Sequence, residues 1–362
     1  MKKLLKITLI VSISILFIQQ FTNAQAVKYS NEFLAIGVGG RALGISKATI
    51  ATVSDATAGY WNPAGLTGLK KDFSVGLMHS EYFAGIAKYD YAAIATKLDD
   101  KSSIAFSYIR FGADDIPNTI NLIDNNGRVN YDNITSFSAI DNAFFLSYAR
   151  KTGIEGLSIG LNAKVIYRKI GDFAQAWGFG IDLAGQYELK KWHFGAVLRD
   201  ATSTFNAWSY SLDQNTIDVF QKTGNEIPEN GLELTLPRLI LGVGREFEIK
   251  KFTVLPEFNF VTTFDGQRNA LIQGDPVSID PYFGMEIGYA KIVYLRGGAG
   301  NFQKVKAEVG DFKKTTFQPN IGIGLSLKGV TIDYALTDVG DQSVALYSNV
   351  FSLSIDINNL KK

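Results

Sequence analysis

Trp177-Gly-Phe-Gly-Ile-Asp-Leu-Ala-Gly-Gln-Tyr-Glu188 sorts its side chains onto two faces with a period of two. Trp177, Phe179, Ile181, Leu183 and Tyr187 fall on one side, and Gly178, Gly180, Asp182, Ala184, Gln186 and Glu188 on the other. Strand side chains alternate in this way, so the first face suits lipid and the second a polar interior. The pattern returns where Phe317, Ile321, Ile323, Leu325 and Leu327 oppose Gln318, Asn320, Gly322, Gly324 and Ser326. It returns again where Tyr347, Phe351, Leu353, Ile355 and Ile357 oppose Ser348, Ser352, Ser354 and Asp356.

Outward from this segment, fourteen such stretches begin at Phe73, Ala87, Ser102, Asn142, Gly156, Gln175, Trp192, Leu236, Phe252, Pro281, Ile292, Phe317, Val330 and Tyr347. Each can supply the roughly 9 to 11 residues that a tilted strand needs to cross a bilayer. Every even-numbered connection is tight, at Asp99-Asp100, Gly153, Lys190-Lys191, Lys250, Lys291 and Gly329. The odd-numbered ones include the long segments Gly112 to Asp141, Ala201 to Thr235, Asp265 to Asp280 and Gln303 to Thr316. Nothing in a soluble sandwich sends every long connection to one end, whereas short periplasmic turns with long outer loops are usual in outer-membrane barrels. The fold expected is all-β: a 14-stranded antiparallel transmembrane β-barrel over residues 73–358, with a small N-terminal hatch over 25–72 in its lumen.

Residues 1–24 read as a cleaved secretory signal peptide: Lys2, Lys3 and Lys6 precede an apolar run from Ile7 to Ile18, and small residues at Thr22 and Ala24 follow it. No later segment offers the ~18 apolar residues of a spanning helix. Cysteine is absent, which excludes disulfides, thiolate metal sites and a cysteine nucleophile. A net charge of +1 argues against a nucleic-acid partner. The 35 glycines and 25 phenylalanines suit a barrel, with aromatics in interfacial girdles and glycines facing a crowded lumen.

Residues 25–71 lack the alternation and carry Gly37, Gly39, Gly40, Gly44, Asn62, Pro63 and Gly65. They are expected to fold into the barrel from the periplasmic side, with Asn62 and Pro63 forming a stiff corner and Gly40 at a site requiring φ > 0. The segment Gly37-Val-Gly-Gly-Arg-Ala-Leu-Gly44, followed by Ser54-Asp-Ala-Thr-Ala-Gly-Tyr-Trp-Asn-Pro-Ala-Gly-Leu66, resembles the N-terminus of the FadL-like superfamily of outer-membrane barrels. That resemblance implies fourteen strands and an Asn-Pro-Ala element in the hatch, matched here by Asn62, Pro63 and Ala64. The hatch motif read from it comprises Gly37, Gly39, Gly40, Arg41, Gly44, Asp55, Asn62, Pro63 and Ala64. The run Phe33-Leu-Ala-Ile-Gly-Val-Gly-Gly-Arg-Ala-Leu-Gly44, with His79-Ser-Glu-Tyr-Phe-Ala-Gly85, is more specifically similar to the PorV/PorQ branch of Bacteroidetes. This implies an accessory of type IX secretion. The chain departs from many barrels in ending Asn358-Asn-Leu-Lys-Lys362, so an aromatic assembly signal falls inward at Phe351.

Several chemical signatures dissolve on inspection. Gly37, Gly39 and Ala42 fit a dinucleotide spacing, but no strand-helix-strand pattern surrounds them. Only His79 and His193 are available as catalytic bases, and no nucleophile elbow accompanies them, so no catalytic residues, cofactor or metal site are assigned. Asp124-Asn-Asn-Gly127 and Asp265-Gly266 have the composition of ordinary turns rather than of a calcium loop. Lys88, Lys164, Arg168, Arg199, Arg296, Asp90, Asp182, Glu257, Glu286, Asp333 and Asp356 all fall on the parity taken as lumenal, and their mixed signs imply internal ion pairing.

The leading functional expectation is a non-enzymatic outer-membrane barrel that assists type IX secretion and meets translocon or attachment proteins and secreted cargo. Phe205, Trp208, Tyr210 and Phe220 in the long Ala201 to Thr235 connection are the candidate partner-binding residues. An interfacial aromatic belt facing outer-membrane lipid is the alternative use of Trp208 and Tyr210. The second expectation is a transporter of long-chain fatty acids or other hydrophobic ligands, which requires an apolar pocket with a polar group at its end.

Overall fold

A computed structural model describes residues 30–83, 85–123, 127–306, 313–337 and 347–358, so the leader and the residues after Asn358 lie outside it. Backbone groups in hydrocarbon must find partners within the protein, and a closed sheet satisfies all of them. The chain meets this demand with strand segments β1 (Phe73–Tyr82), β2 (Ala87–Lys97), β3 (Ser102–Asn118), β4 (Thr135–Lys151), β5 (Leu157–Ile170) and β6 (Ala174–Leu189). β7 (Trp192–Arg199) and β8 (Thr204–Tyr210) share one wall position, as do β9 (Gly231–Thr235), β10 (Arg238–Arg245) and β11 (Phe247–Ile249). β12 (Phe252–Thr263), β13 (Ser278–Tyr289), β14 (Val293–Lys306), β15 (Lys313–Leu327), β16 (Val330–Thr337) and β17 (Ser348–Ile357) complete the wall. The seventeen segments therefore make fourteen antiparallel strands, and β17 closes on β1 from Phe73↔Ile357 to Glu81↔Asn349.

The alternation read from sequence is the wall's inside and outside. Trp177, Phe179, Ile181 and Leu183 are exposed on the outer face, while Gly178, Gly180 and Asp182 are buried inside. Phe317, Ile321, Ile323, Leu325 and Leu327 likewise face out. Six tight connections lie at one end, at 98–101, 152–156, 190–191, 250–251, 290–292 and 328–329. The other end holds 119–134, 211–230 and 264–277, but also the short turns 83–86 and 171–173.

Three expectations need correction. The long connections are shorter than the sequence suggests, because β3, β4 and β6 run to 17, 17 and 16 residues and rise beyond the bilayer. The segment from Ala201 to Thr235 is no single loop. It resumes the wall as β8, crosses over α3 (Gln214–Thr223) and returns as β9. The wall is broken instead at Asp200–Ser203 and at Leu236–Pro237, where Pro237 can donate no ladder hydrogen bond and Asp200 turns inward with φ 57°. Finally, Lys88 and Asp90 face outward, since Tyr89 and Tyr91, at 0% and 3% exposure, hold the lumenal parity of β2. Beyond Ile94 and Ala92 this face leaves the apolar band, so charge carries little penalty there; Asp90 meets His79 at 2.7 Å and Arg110 at 4.0 Å.

Other charges pair inside. Lys164 lies between Asp182, at 2.7 Å, and Asp200, with all three side chains nearly inaccessible. Arg296 bridges Glu286 and Asp333, each at 2.6 Å. Removing one member of a buried group strands the others without solvent, which costs about 3–5 kcal/mol. Lys164→Met is therefore expected to destabilise the folded barrel by that amount. A lowered temperature for loss of the compact, heat-modifiable band in electrophoresis would show it, and an unchanged temperature would mean the cluster contributes nothing.

Candidate functional site

The lumen is occupied by Ser30 to Lys71, which contains two short α-helices, α1 (Gly40–Gly44) and α2 (Ala58–Trp61), and two 3₁₀ turns, Glu32–Ala35 and Pro63–Gly68. Its apolar residues Phe33, Leu34, Val38, Leu43, Ile50, Val53 and Leu66 are buried, together with Tyr60 and Trp61. Wall residues Tyr89, Tyr91 and Phe145 meet them from β2 and β4. Part of the aromatic excess thus fills the interior rather than the girdles.

The hatch approaches the wall backbone to backbone. A Cβ on Gly160 would stand 2.3 Å from the Ala64 nitrogen, and one on Gly195 or Gly284 would stand 2.4 Å from the Ile50 or Ile45 carbonyl oxygen. Gly44 faces Gly322, where an added Cβ would lie 3.1 Å from the opposing Cα. Within the motif, Gly37 and Gly39 have φ of 100° and 85° and need glycine for conformation. Gly40 does not have positive φ, contrary to expectation. Its requirement is space, because an added Cβ would sit 3.0 Å from both Asp333 Cβ and Ser352 Oγ, and its N–H donates to Ser352 Oγ at 2.9 Å.

Arg41 leaves α1 to join the wall charges. Its Nε donates to Glu286 at 3.0 Å and a terminal nitrogen to Thr49 at 3.1 Å. Burial alone would lower the pKa of this guanidinium, but Glu286, Asp55 and Glu257 outweigh it and hold the pKa above its ordinary value. Glu257 in turn accepts from the Ala51 N–H at 2.7 Å and the Thr52 hydroxyl at 2.6 Å. Asp55 accepts from the Thr57 N–H at 2.8 Å and shapes the turn into α2. Asn62 is wholly buried; its amide donates to the carbonyls of Ile50, at 2.9 Å, and wall residue Gly185, at 3.1 Å, and its oxygen accepts from Ala64 at 3.1 Å. Pro63 opens the following 3₁₀ turn.

The four aromatics expected on an outer loop are dispersed. Phe205 faces outward on β8, its ring 5.7 Å from Phe179, and belongs to the wall. Trp208 and Tyr210 take the opposite parity on the same segment. Trp208 donates to Glu233 at 2.6 Å and lies under Arg168, which also covers Phe33. Phe220 alone is on the loop proper, in α3. The two histidines are separated: His79 is outward near the long-loop end of β1, and His193 begins β7 at the tight-turn end. Asp265 is engaged by Arg268 at 2.9 Å, and Asp124 lies outside the described residues.

A second constellation was not foreseen. On the long-loop side of the hatch a vestibule of about 410 Å³ opens among Asn269, Ala270 and Ser278. It descends past Lys47, Arg238, Val261 and Tyr282 to a throat of about 80 Å³ lined by Ala35, Ile50, Tyr60, Trp61 and Ile240. Lys47 Nζ donates to the Ala35 carbonyl at 2.9 Å, and Arg199 donates to the Tyr60 carbonyl at 2.9 Å while covering its ring. Arg238 lies 3.8 Å from Asp200, and its Nε is buried without a hydrogen-bond partner. The available signal was an arginine inside the apolar run Leu236-Pro-Arg-Leu-Ile-Leu241.

The tether at Asn62 and the glycine seat differ in what they tolerate. Asn62→Ala leaves the Ile50 carbonyl and the Ala64 N–H unpaired, each costing about 1–3 kcal/mol, cuts the link to the wall at Gly185, and is expected to yield an inserted barrel with a loosened hatch. Gly160→Val meets main chain that cannot turn aside, so less folded barrel should accumulate. Sensitivity to small hydrophobic antibiotics at matched outer-membrane abundance tests the first, and the yield of heat-modifiable protein tests the second. Parental behaviour in both would make the hatch a passive tether.

No protein-family model matches the sequence, and no curated protein does. Solved structures do. The CymD monoaromatic hydrocarbon channel is similar with a TM-score of 0.55 and 13% identity, over 90% of this chain and 99% of that one. The Pseudomonas putida toluene transporter TodX gives 0.54 and 13%, over 89% and 99%. The Ralstonia pickettii toluene transporter TbuX gives 0.51 and 15%, again over 89% and 99%. At such identities the likeness is one of architecture: the chain shares the closed β-barrel fold of these outer-membrane channels.

Proposed function

We propose that this protein is a non-enzymatic outer-membrane channel that takes up hydrophobic small molecules carrying an acidic or hydrogen-bond-accepting head, long-chain fatty acids among them. Arg238 carries the reading: its guanidinium stands between an open vestibule and an apolar and aromatic throat. The residue lines both the vestibule and the throat and offers a charged partner to a carboxylate there, while Ile50, Trp61, Ile240 and Val261 receive the apolar body. The volume of the vestibule lies within the range of small-molecule pockets. The similar structures are described as channels or transporters of monoaromatic hydrocarbons and toluene. Those ligands need no charged partner, so the arginine points to a ligand with a head group. Toward the tight turns the lumen is filled by Ala58, Ala64 and Leu66, each at 0% exposure, so passage requires the hatch to shift.

A second reading, an accessory of type IX secretion that binds translocon or cargo, is supported by the hatch resemblance. Tyr131 and Ile123, 74% and 63% exposed at the long-loop end, also favour it. Affinity capture from cells would then recover protein partners in constant ratio.

Quenching by a brominated long-chain fatty acid, in a protein whose Trp177, Trp192 and Trp208 are replaced by Phe so that Trp61 alone emits, tests the channel reading. The parent is expected to saturate. Arg238→Met should weaken the acid about tenfold or more, the worth of one charged hydrogen bond, and leave toluene binding unchanged. A parent that binds neither ligand would end the proposal.

A further inference from the structure

All six connections at the tight-turn end carry lysine in the turn or at its edge, at Lys101, Lys151, Lys190-Lys191, Lys250-Lys251, Lys291 and Lys328, and all are exposed. Four of them have left-handed backbone: Lys190 at φ 56°, Lys250 at 55°, Lys291 at 59° and Lys328 at 51°. A residue with a Cβ is disfavoured there, and tight hairpins prefer glycine or asparagine. At the long-loop end the left-handed turn positions are mostly glycine, as at Gly127, Gly171, Gly224 and Gly266. Turn geometry therefore explains the glycines and leaves the lysines unexplained.

Their surroundings supply the reason. Leu189 and Trp192 flank Lys190, Ile249 and Phe252 flank Lys250, and Leu327 and Val330 flank Lys328, all exposed on the outer face. Each ammonium thus begins where the apolar band ends, at head-group depth, with its methylene stem free to lie along the apolar rim. Among the described residues only Lys191 of this set is drawn into ion pairs, with Glu246 and Glu248 at 3.3 Å. We propose that these lysines form a ring that binds anionic phospholipid head groups of the leaflet at the tight-turn end. Basic residues at a membrane surface attract anionic lipid additively, so a ring gains from each member. The inference rests on the barrel and its apolar band, not on the ligand of the lumen.

The test is native mass spectrometry of the mature protein in detergent, offered equal phosphatidylglycerol and phosphatidylcholine. The parent is expected to retain phosphatidylglycerol at least about tenfold better. The combined variant Lys190→Asn, Lys250→Asn, Lys291→Asn and Lys328→Asn should lose that preference and melt no lower than the parent, since asparagine suits the left-handed turn. The corresponding four-arginine variant should keep the preference. Equal retention of both lipids by the parent, or an unchanged preference in the asparagine variant, overturns the proposal. Binding of the parent to peptidoglycan sacculi in place of phosphatidylglycerol would also overturn it and assign the ring to the cell wall.

Discussion

Pairing of the last strand with the first, along Phe73↔Ile357 to Glu81↔Asn349, is the constraint from which the rest follows. An open edge in hydrocarbon would leave a row of unpaired N–H and C=O groups, so the sheet must close. Once closed, it has only two faces. The outer one must be apolar wherever it meets lipid, and every polar or charged side chain at that depth must turn inward. The interior then needs partners for those charges and matter to fill it. Lys164 with Asp182 and Asp200, and Arg296 with Glu286 and Asp333, answer the first need. The hatch answers the second, and Arg41 joins it to the wall charges.

This filling is incomplete on the long-loop side. Packing around Ala58, Ala64 and Leu66 is complete, whereas the region above Ile50 and Trp61 remains open and is lined by Arg238. The break of the wall at Asp200 and Pro237 is what puts Arg238 there. Where β9 yields to β10 the strand restarts at Arg238, directly opposite Arg199. Asp200, turned inward by its left-handed backbone, holds Lys164 and stands near Arg238. A local failure of the ladder thus concentrates charge at one height of the lumen.

Period-two alternation makes the wall legible from sequence, and ten of the fourteen expected strand starts fall within one residue of those observed because turn residues punctuate them. Pro281 and Phe317 lie three and four residues inside strands that begin at Ser278 and Lys313, and the other two differences have physical causes. Asn142 was read as a start because β4 begins at Thr135 with polar residues that stand above the bilayer and obey no lipid alternation. The strand around Leu236 was misread because Pro237 and the polar stretch before it look like loop, although the wall continues on either side. The same limitation inverts β2: the rule that charge avoids lipid turns Lys88 and Asp90 inward, yet it does not operate outside the apolar band, where both residues face out. The hatch motif was visible as glycines and Asn62-Pro63, but its purpose was not, since close approach to Gly160, Gly195, Gly284 and Gly322 depends on residues far away in the chain.

That glycine seat also bears on how the barrel is built. Its components come from β5, β7, β13 and β15, so the seat exists only when strands from opposite sides of the wall stand in their correct registers. A slip of one residue in any of them would replace glycine by Ile159 or Leu161, Phe194 or Ala196, Phe283 or Met285, and Ile321 or Ile323. Each replacement drives a side chain into the hatch main chain. The hatch therefore serves as an internal gauge of strand register, and a misthreaded barrel is one that cannot be plugged.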